Sequence, residues 1–244
     1  MRTVVIAGGT RGIGEALASS LTGWNVIALG SADADLTSMA ETRKLIARLP
    51  DRIDALVLSA GQFSSRRIVT AEGLERSFAI VVAARYLLTE GLRPALERAP
   101  NPVIVNLCGV GGIKAGRIHW DDLQLATGYS LFTATMQGAR ALDLLGAGFA
   151  ARFPDSPIRY VLYNPLFVDS GMHRNFGRPM RSIVGAAARL FGARPAAAAV
   201  PLRGLLESPP AAALTTLRRG DPVSLTADPR DAARLYARLA ELTS

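Results

Sequence analysis

Few residues in this chain have the chemistry to bind a charged ligand or move a proton, and the densest group of them lies at the start. Thr3-Val-Val-Ile-Ala-Gly-Gly-Thr-Arg-Gly-Ile-Gly-Glu-Ala-Leu17 runs an apolar stretch into closely spaced glycines and then into an amphipathic segment. Gly8 allows a sharp turn off a strand, Gly12 leaves room for a pyrophosphate against the backbone, and Gly14 lets a following helix pack close to a sheet. Thr10, Arg11 and Ile13 fill the turn, and the helix N-terminus beyond it presents free N–H groups and a positive dipole end to phosphates. The chemistry this spacing predicts is dinucleotide binding. Other reactive groups are scarce: Cys108 is the single cysteine, His119 and His173 are the two histidines, and Lys44 and Lys114 are the only lysines. An intramolecular disulfide and a multi-cysteine metal site are excluded, metal catalysis has little to build on, and no metal ligand is expected.

These residues need a parallel sheet to hold them. Residues 4–7 read as the first strand, 12–21 as the first helix and 25–29 as the second strand. That second strand ends in Leu29-Gly30-Ser31 without a carboxylate, where folds that prefer NAD place an acid on the ribose hydroxyls. Without that acid a 2′-phosphate meets no repulsion, and Arg11 and Ser31 are placed to bind it, Arg11 through a charge-assisted hydrogen bond. NADPH is therefore the expected cofactor. Only residues 32–36 separate this strand from a helix starting near Thr37 or Ser38, so a helix and a strand are abbreviated. Asp35 and Leu36 are either an adenine-side contact or a capped turn. Asp54-Ala-Leu-Val-Leu-Ser-Ala-Gly61 reads as a buried parallel strand ending in small residues, and Ser59, Ala60 and Gly61 would let a cofactor lie flat across the strand ends.

The chain's 244 residues with 49% hydrophobic content suit one large core, and a single domain over residues 1–244 is expected. The net charge of +8 is carried almost wholly by scattered arginines, with no basic run interleaved with aromatics. That pattern suits an anionic cofactor better than nucleic acid. The sequence predicts no membrane span, because no run of about 18 uncharged apolar residues occurs. The N-terminus enters a strand rather than a charged-then-apolar leader, which predicts a cytoplasmic protein without a signal peptide.

Ala7-Gly-Gly-Thr-Arg-Gly-Ile-Gly14 followed by Leu58-Ser-Ala-Gly61 resembles the short-chain dehydrogenase/reductase family. Ser77-Phe78-Ala79 and Leu87-Leu88 fit that family's fourth helix, residues 103–106 its fifth strand, and Asn164, Pro165, Phe167 and Val168 its nicotinamide loop, so the resemblance covers roughly residues 1–172. It implies an α/β fold: a single-domain Rossmann-like doubly wound parallel sheet with helices on both faces and a small helical substrate lid, at about residues 167–201.

Usual members of the family surround the substrate carbonyl with Asn, Ser, Tyr and Lys, and this chain departs at every position. The asparagine falls on Val81 and the serine on Gly109, with Cys108 just before it. The Tyr-x-x-x-Lys pair falls on Thr135 and Ala139 in the gap-free placement we favour, or on Tyr129 and Thr133 in the alternative. Neither supplies a lysine. Tyr129 is then either a relocated acid or a structural tyrosine, and Cys108 either a nucleophile or a small apolar residue. Cys108, Gly109, Tyr129 and Thr135 are expected to line the substrate pocket. In the lid, Met172 and Phe176 with Met180 and Phe191 suit either a flat apolar substrate, with Arg174, Arg178 and Arg181 at its rim, or a helical core stripe with solvated arginines. The set of departures resembles atypical ketoreductases of the family that act on angucyclinones, which are large aromatic polyketides. This implies a ketone substrate whose own phenol supplies the proton. A silent NADP-binding regulator and a non-redox cyclase or isomerase also dispense with Tyr and Lys. The sequence leaves the oligomeric state open.

Overall fold

The computed structural model describes residues 1–110, 116–166, 168 and 193–244. Strand β1 (Arg2–Ala7) leads through the glycine turn to helix α1 (Gly12–Ser20) and strand β2 (Trp24–Leu29). Helix α2 (Met39–Ile46) and strand β3 (Ala55–Leu58) follow. A short helix α3 (Arg76–Phe78) passes through a π turn, Ala79–Ala83, into α4 (Ala84–Glu97) and then β4 (Val103–Leu107). The rest is α5 (Leu131–Arg152), β5 (Arg159–Asn164), α6 (Pro195–Glu207), β6 (Leu214–Arg218), β7 (Asp221–Pro222) and α7 (Pro229–Leu242).

One seven-stranded sheet has the order β2-β1-β3-β4-β5-β6-β7, parallel except for the antiparallel β6–β7 pair. The strands are near-continuous apolar runs because both faces are covered, and alternate residues serve opposite cores. Val5, Ala7, Leu56, Leu58, Ile104, Tyr160 and Leu162 pack under α2, α4, α5 and α7. Val4, Ile6, Ala55, Val57, Val103, Val105, Val161 and Tyr163 pack under α1 and α6. The order in which strands are added reverses at β1, with β2 on one side and β3 on the other; β1 and β3 run parallel in a register from Val4 opposite Ala55 to Ala7 opposite Leu58. A crevice opens at such a reversal, outside the carboxyl ends of the strands.

Between β2 and α2 there is only a turn, so β2 is an edge strand and the third strand of the usual doubly wound order is missing. Ser38 caps α2, accepting from the Glu41 N–H, and Glu72 reinforces that end by accepting from the Ser38 hydroxyl and from the N–H groups of Met39 and Ala40. Those hydrogen bonds hold the Glu72 carboxyl below its ordinary range against the opposing pull of desolvation.

The expected lid boundary needs correction. Residues 195–201 begin α6, whose Ala198, Ala199, Leu202 and Leu206 are buried, the last three in the core shared with Leu17 of α1 and Leu21 just past its end. The Ala/Pro-rich composition masked an apolar stripe at helical spacing, with Pro195 at a position where its missing N–H costs nothing. Phe167, Met172, Phe176, Met180, Phe191, Arg174, Arg178, Arg181 and Lys114 lie outside the described residues. No described helix is long and apolar enough to cross a membrane.

Candidate cofactor and active site

The turn after β1 is built from backbone that side chains would block. Gly8 and Gly12 have φ of 85° and 60°, the left-handed region that glycine enters without cost. The N–H groups of Gly8 and Gly9 both donate to Leu29 O at 2.9 Å, which ties the turn to the end of β2. A Cβ on Gly14 would fall inside contact distance of Gly8 O and 2.8 Å from Ser59 Oγ. One on Gly8 would lie 2.6 Å from Ala60 N. Ser59 locks this arrangement, its hydroxyl donating to Ala7 O at 2.8 Å. Gly8 and Gly14 thus meet Ser59 and Ala60 at one place above the sheet, at the N-terminal end of α1, while Thr10 packs on Gly30 at the end of β2. A cradle of small residues at a helix N-terminus fits a pyrophosphate, so the residues present suit a dinucleotide.

Arg11 is exposed and makes no capping hydrogen bond with its side chain, and Ser31, just past the end of β2, is exposed as well. One expectation is qualified here. A carboxylate does stand at the end of β2, because the turn after Ser31 brings Asp33 back so that its Oδ2 accepts from the Gly30 N–H at 2.7 Å. Asp35 forms a turn with the Thr37 N–H at 2.9 Å and its own N–H donates to Glu41, so the capped-turn alternative describes its contacts. Leu36 is half-buried against the core.

The loops after β4 and β5 are joined into one floor. Cys108 N–H donates to Tyr163 O, and Asn164 donates from Nδ2 to Val110 O while its Oδ1 accepts from Leu166 N–H. Leu166, next to Pro165, is held at φ 58°, a strained conformation for a branched side chain that is over-represented at functional sites. Val168 bridges to Ala193, which places the two ends of the undescribed segment side by side.

Among the described residues, none of the expected proton donors stands free in this floor. Val81 is buried and packs toward Gly61 and Gly138. Tyr129 lies before the α5 cap, not on the helix; its hydroxyl donates to Ser64 O at 2.8 Å, and burial raises its pKa. Ser130 caps α5 and shares a 2.8 Å hydroxyl contact with Thr133. Thr135 donates back to Leu131 O at 2.7 Å, and Ala139 is buried one turn on. Burial pushes the Cys108 thiol up to about 12, so Cys108 behaves as a small apolar residue beside Gly109 rather than a nucleophile.

Sequence reading missed Arg85. It is 5% exposed on α4, one turn beyond Val81; its Nη1 donates to Asn106 Oδ1 and to Leu107 O, both at 2.5 Å, and its Nη2 donates to Ala60 O at 2.6 Å. The signal was present: one arginine inside the apolar run Ala79-Ile-Val-Val-Ala-Ala-Arg85-Tyr-Leu-Leu. An unbroken apolar face would have been expected there, so a charge on it is informative.

No protein-family model matches the chain. Dehydrogenase/reductase SDR family member 12 of Homo sapiens is 29% identical over 142 residues, 54% of this chain and 43% of that protein. The match spans less than half of that relative's length. Among solved structures, a protein of Mycobacterium paratuberculosis superposes with a TM-score of 0.74 at 22% identity, covering 100% of this chain and 93% of that one. The 3-alpha-hydroxysteroid dehydrogenase of Pseudomonas sp. B-0831, solved with NADH, gives 0.71 at 21% identity over 89% and 96%. The chain therefore has the single-domain α/β Rossmann-like fold of the short-chain dehydrogenase/reductases.

Proposed function

We propose that this protein is an NADPH-dependent oxidoreductase that reduces a ketone on a large aromatic polyketide, with the proton supplied by a phenol of the substrate. The observation that supports the reading is the pairing of a small-residue turn at the α1 N-terminus, which suits a dinucleotide, with a floor in which, among the described residues, the expected proton donors are absent, already bonded to backbone, or raised in pKa. The departures resemble those of the angucyclinone ketoreductase of simocyclinone biosynthesis. The relatives named above are a dehydrogenase/reductase and a hydroxysteroid dehydrogenase, which supports nicotinamide-dependent redox chemistry.

Gly8, Gly12 and Gly14 would hold the pyrophosphate, Arg11 and Ser31 the 2′-phosphate, and Ser59, Ala60 and Gly61 the sugar across the strand ends. Pro165 and Val168 would border the ring, with Phe167 beside them. Bound there, the nicotinamide supplies the hydride. The chain then has to orient a carbonyl and keep water out, and Val81, Cys108, Gly109 and Ala139 give that face an apolar, small-residue lining. Reduction of an isolated ketone would leave an alkoxide, whose conjugate acid lies near the pKa of water at about 15.7. A neighbouring phenol at about 10 takes the charge instead, a difference worth roughly 8 kcal/mol. A single positioned general acid contributes about 10²- to 10⁴-fold, roughly 3–5 kcal/mol, so the internal proton is enough to replace it.

The test is NADPH oxidation with an aromatic ketone carrying an ortho phenol, against its methyl ether. Turnover should fall by 10²-fold or more in the ether. Undiminished reduction of the ether rules out the substrate-derived proton and returns attention to Tyr129.

A further inference from the structure

We infer that Arg85 is the fixed positive charge of this site, a positioning residue that ties the ends of β3 and β4 together beneath the cofactor floor and biases the site toward the reduced, uncharged nicotinamide ring. The inference rests on the dinucleotide reading above.

The guanidinium is buried, and its three acceptors are all neutral: Ala60 O, Leu107 O and Asn106 Oδ1. No carboxylate pairs with it among the described residues, and its Nε has no hydrogen-bond partner. Asn106 is in turn held by donating from Nδ2 to the Tyr160 hydroxyl at 2.9 Å, so the acceptor oxygen is aimed at Arg85 and cannot turn away. A buried charge compensated by dipoles alone is costly, and such a group normally ionises less readily. Burial does lower the Arg85 pKa, to about 10, which leaves it fully charged at neutral pH.

The location gives the charge a use. Leu107 is the last residue of β4, just before the Cys108-Gly109 turn, and Ala60 lies two residues past the end of β3, inside the Ser59-Ala60-Gly61 turn. A Cβ added to Gly61 would meet, among the described residues, Arg85 Nη2 at 3.7 Å and Val81 Cγ2 at 3.8 Å, so the guanidinium lies against the Ser59-Ala60-Gly61 turn. The chain has no lysine on α5, and Arg85 is the one cation the described structure buries beneath these turns. A cation there repels a ring that carries a positive charge and leaves a neutral ring alone. It also lowers the energy of an oxyanion formed above it.

The oxidised and reduced cofactors differ by that one ring charge, so contacts to phosphates, riboses and adenine cancel in the ratio of their dissociation constants. Calorimetric titration of the whole protein with NADP⁺ and with NADPH should give a wild-type ratio of about tenfold or more in favour of NADPH, the scale of one unit charge felt through a protein interior. Arg85→Gln, which keeps hydrogen-bonding capacity without charge, should cut that ratio about tenfold, and Arg85→Lys should hold it within about threefold of wild type. If both constants rise together in Arg85→Gln and the ratio stands, Arg85 is a strut alone and the inference fails. If the variants do not fold, the wild-type ratio decides: below about threefold, the charge is not felt at the ring. Binding of neither nucleotide to wild type overturns the dinucleotide reading itself, a result distinct from an unbiased ratio.

Discussion

Replacing Gly14 with alanine adds one methyl group at the most crowded point of the proposed cofactor cradle. The new Cβ would meet Gly8 O inside van der Waals contact, Gly8 C at 2.9 Å and Ser59 Oγ at 2.8 Å. Neither neighbour is a flexible side-chain end. Gly8 is fixed by its N–H bond to Leu29 O, and the Ser59 hydroxyl is engaged with Ala7 O and Gly8 O. Relief must come from α1 moving off the sheet, which strains the burial of Leu17 and Leu21 against α6. Overpacking of this kind costs about 1–3 kcal/mol, and in a chain of this length each kcal/mol moves Tm by roughly 2–4 °C. A fall of about 4–12 °C is expected, since a backbone clash belongs in the upper part of that range. The α1 N-terminus moves with the helix, so NADPH affinity should drop roughly tenfold, the scale of a helix terminus acting on a phosphate. Gly204→Ala is the control. Gly204 lies inside α6 with open space around it, so alanine should raise stability by about 0.5–1 kcal/mol and leave binding unchanged. Thermal unfolding with and without NADPH reads both effects. A Gly14→Ala protein as stable as wild type, with the same affinity, would refute the cradle.

Arg11→Ala should erase a preference for NADPH over NADH worth about 1–3 kcal/mol, and Asp33→Asn should enlarge it by removing a carboxylate from the β2 end; paired titrations of each variant decide, and an unchanged preference in both sinks the ribose argument. Tyr129→Phe loses one hydrogen bond to Ser64 O, worth about 1 kcal/mol of stability, and should keep kcat within about threefold; a loss of 10²-fold at unchanged KM would make Tyr129 the acid. Burial raises Asp143 from 3.8 to about 6, and one of its oxygens lacks a hydrogen-bond partner. The folded state therefore binds the extra proton between those values, so stability falls as pH rises through that window and stays lower above it. Asp143→Asn should flatten this fall and stabilise the protein by up to roughly 2–3 kcal/mol at about pH 8 in denaturant titrations. A variant with the same pH slope as wild type refutes the assignment.

The strands and the glycine turn were legible because each is a local pattern: an apolar run, a required positive φ, a helix that begins with Gly12. The missing third strand was legible as a shortage of residues between Leu29 and Ser38. What escaped depended on contacts distant in sequence or on a chain reversal. Asp33 reads as an ordinary loop acid until the turn returns it to Gly30. Glu72 shows no sign in sequence of capping α2. Thr133 is spaced as a lysine replacement, yet its hydroxyl is absorbed by the Ser130 cap. Arg85 was missed although it interrupts an apolar run, because its acceptors lie just past β3 and on β4, and nothing local announces them. The start of α6 was assigned to the lid because Ala199, Leu202 and Leu206 are buried only where α1 lies opposite, a contact that nothing local in the sequence announces.

The central claim is that this fold holds a reduced nicotinamide and delivers its hydride to a ketone without a protein acid. Its most direct test uses NADPH deuterated at the transferred position together with the ortho-hydroxy aromatic ketone, and mass spectrometry of the product. One deuterium is expected on the carbinol carbon, with product formed at a similar rate by wild type and Tyr129→Phe. An unlabelled product, or a ketone returned unchanged while NADPH stays bound, would contradict it.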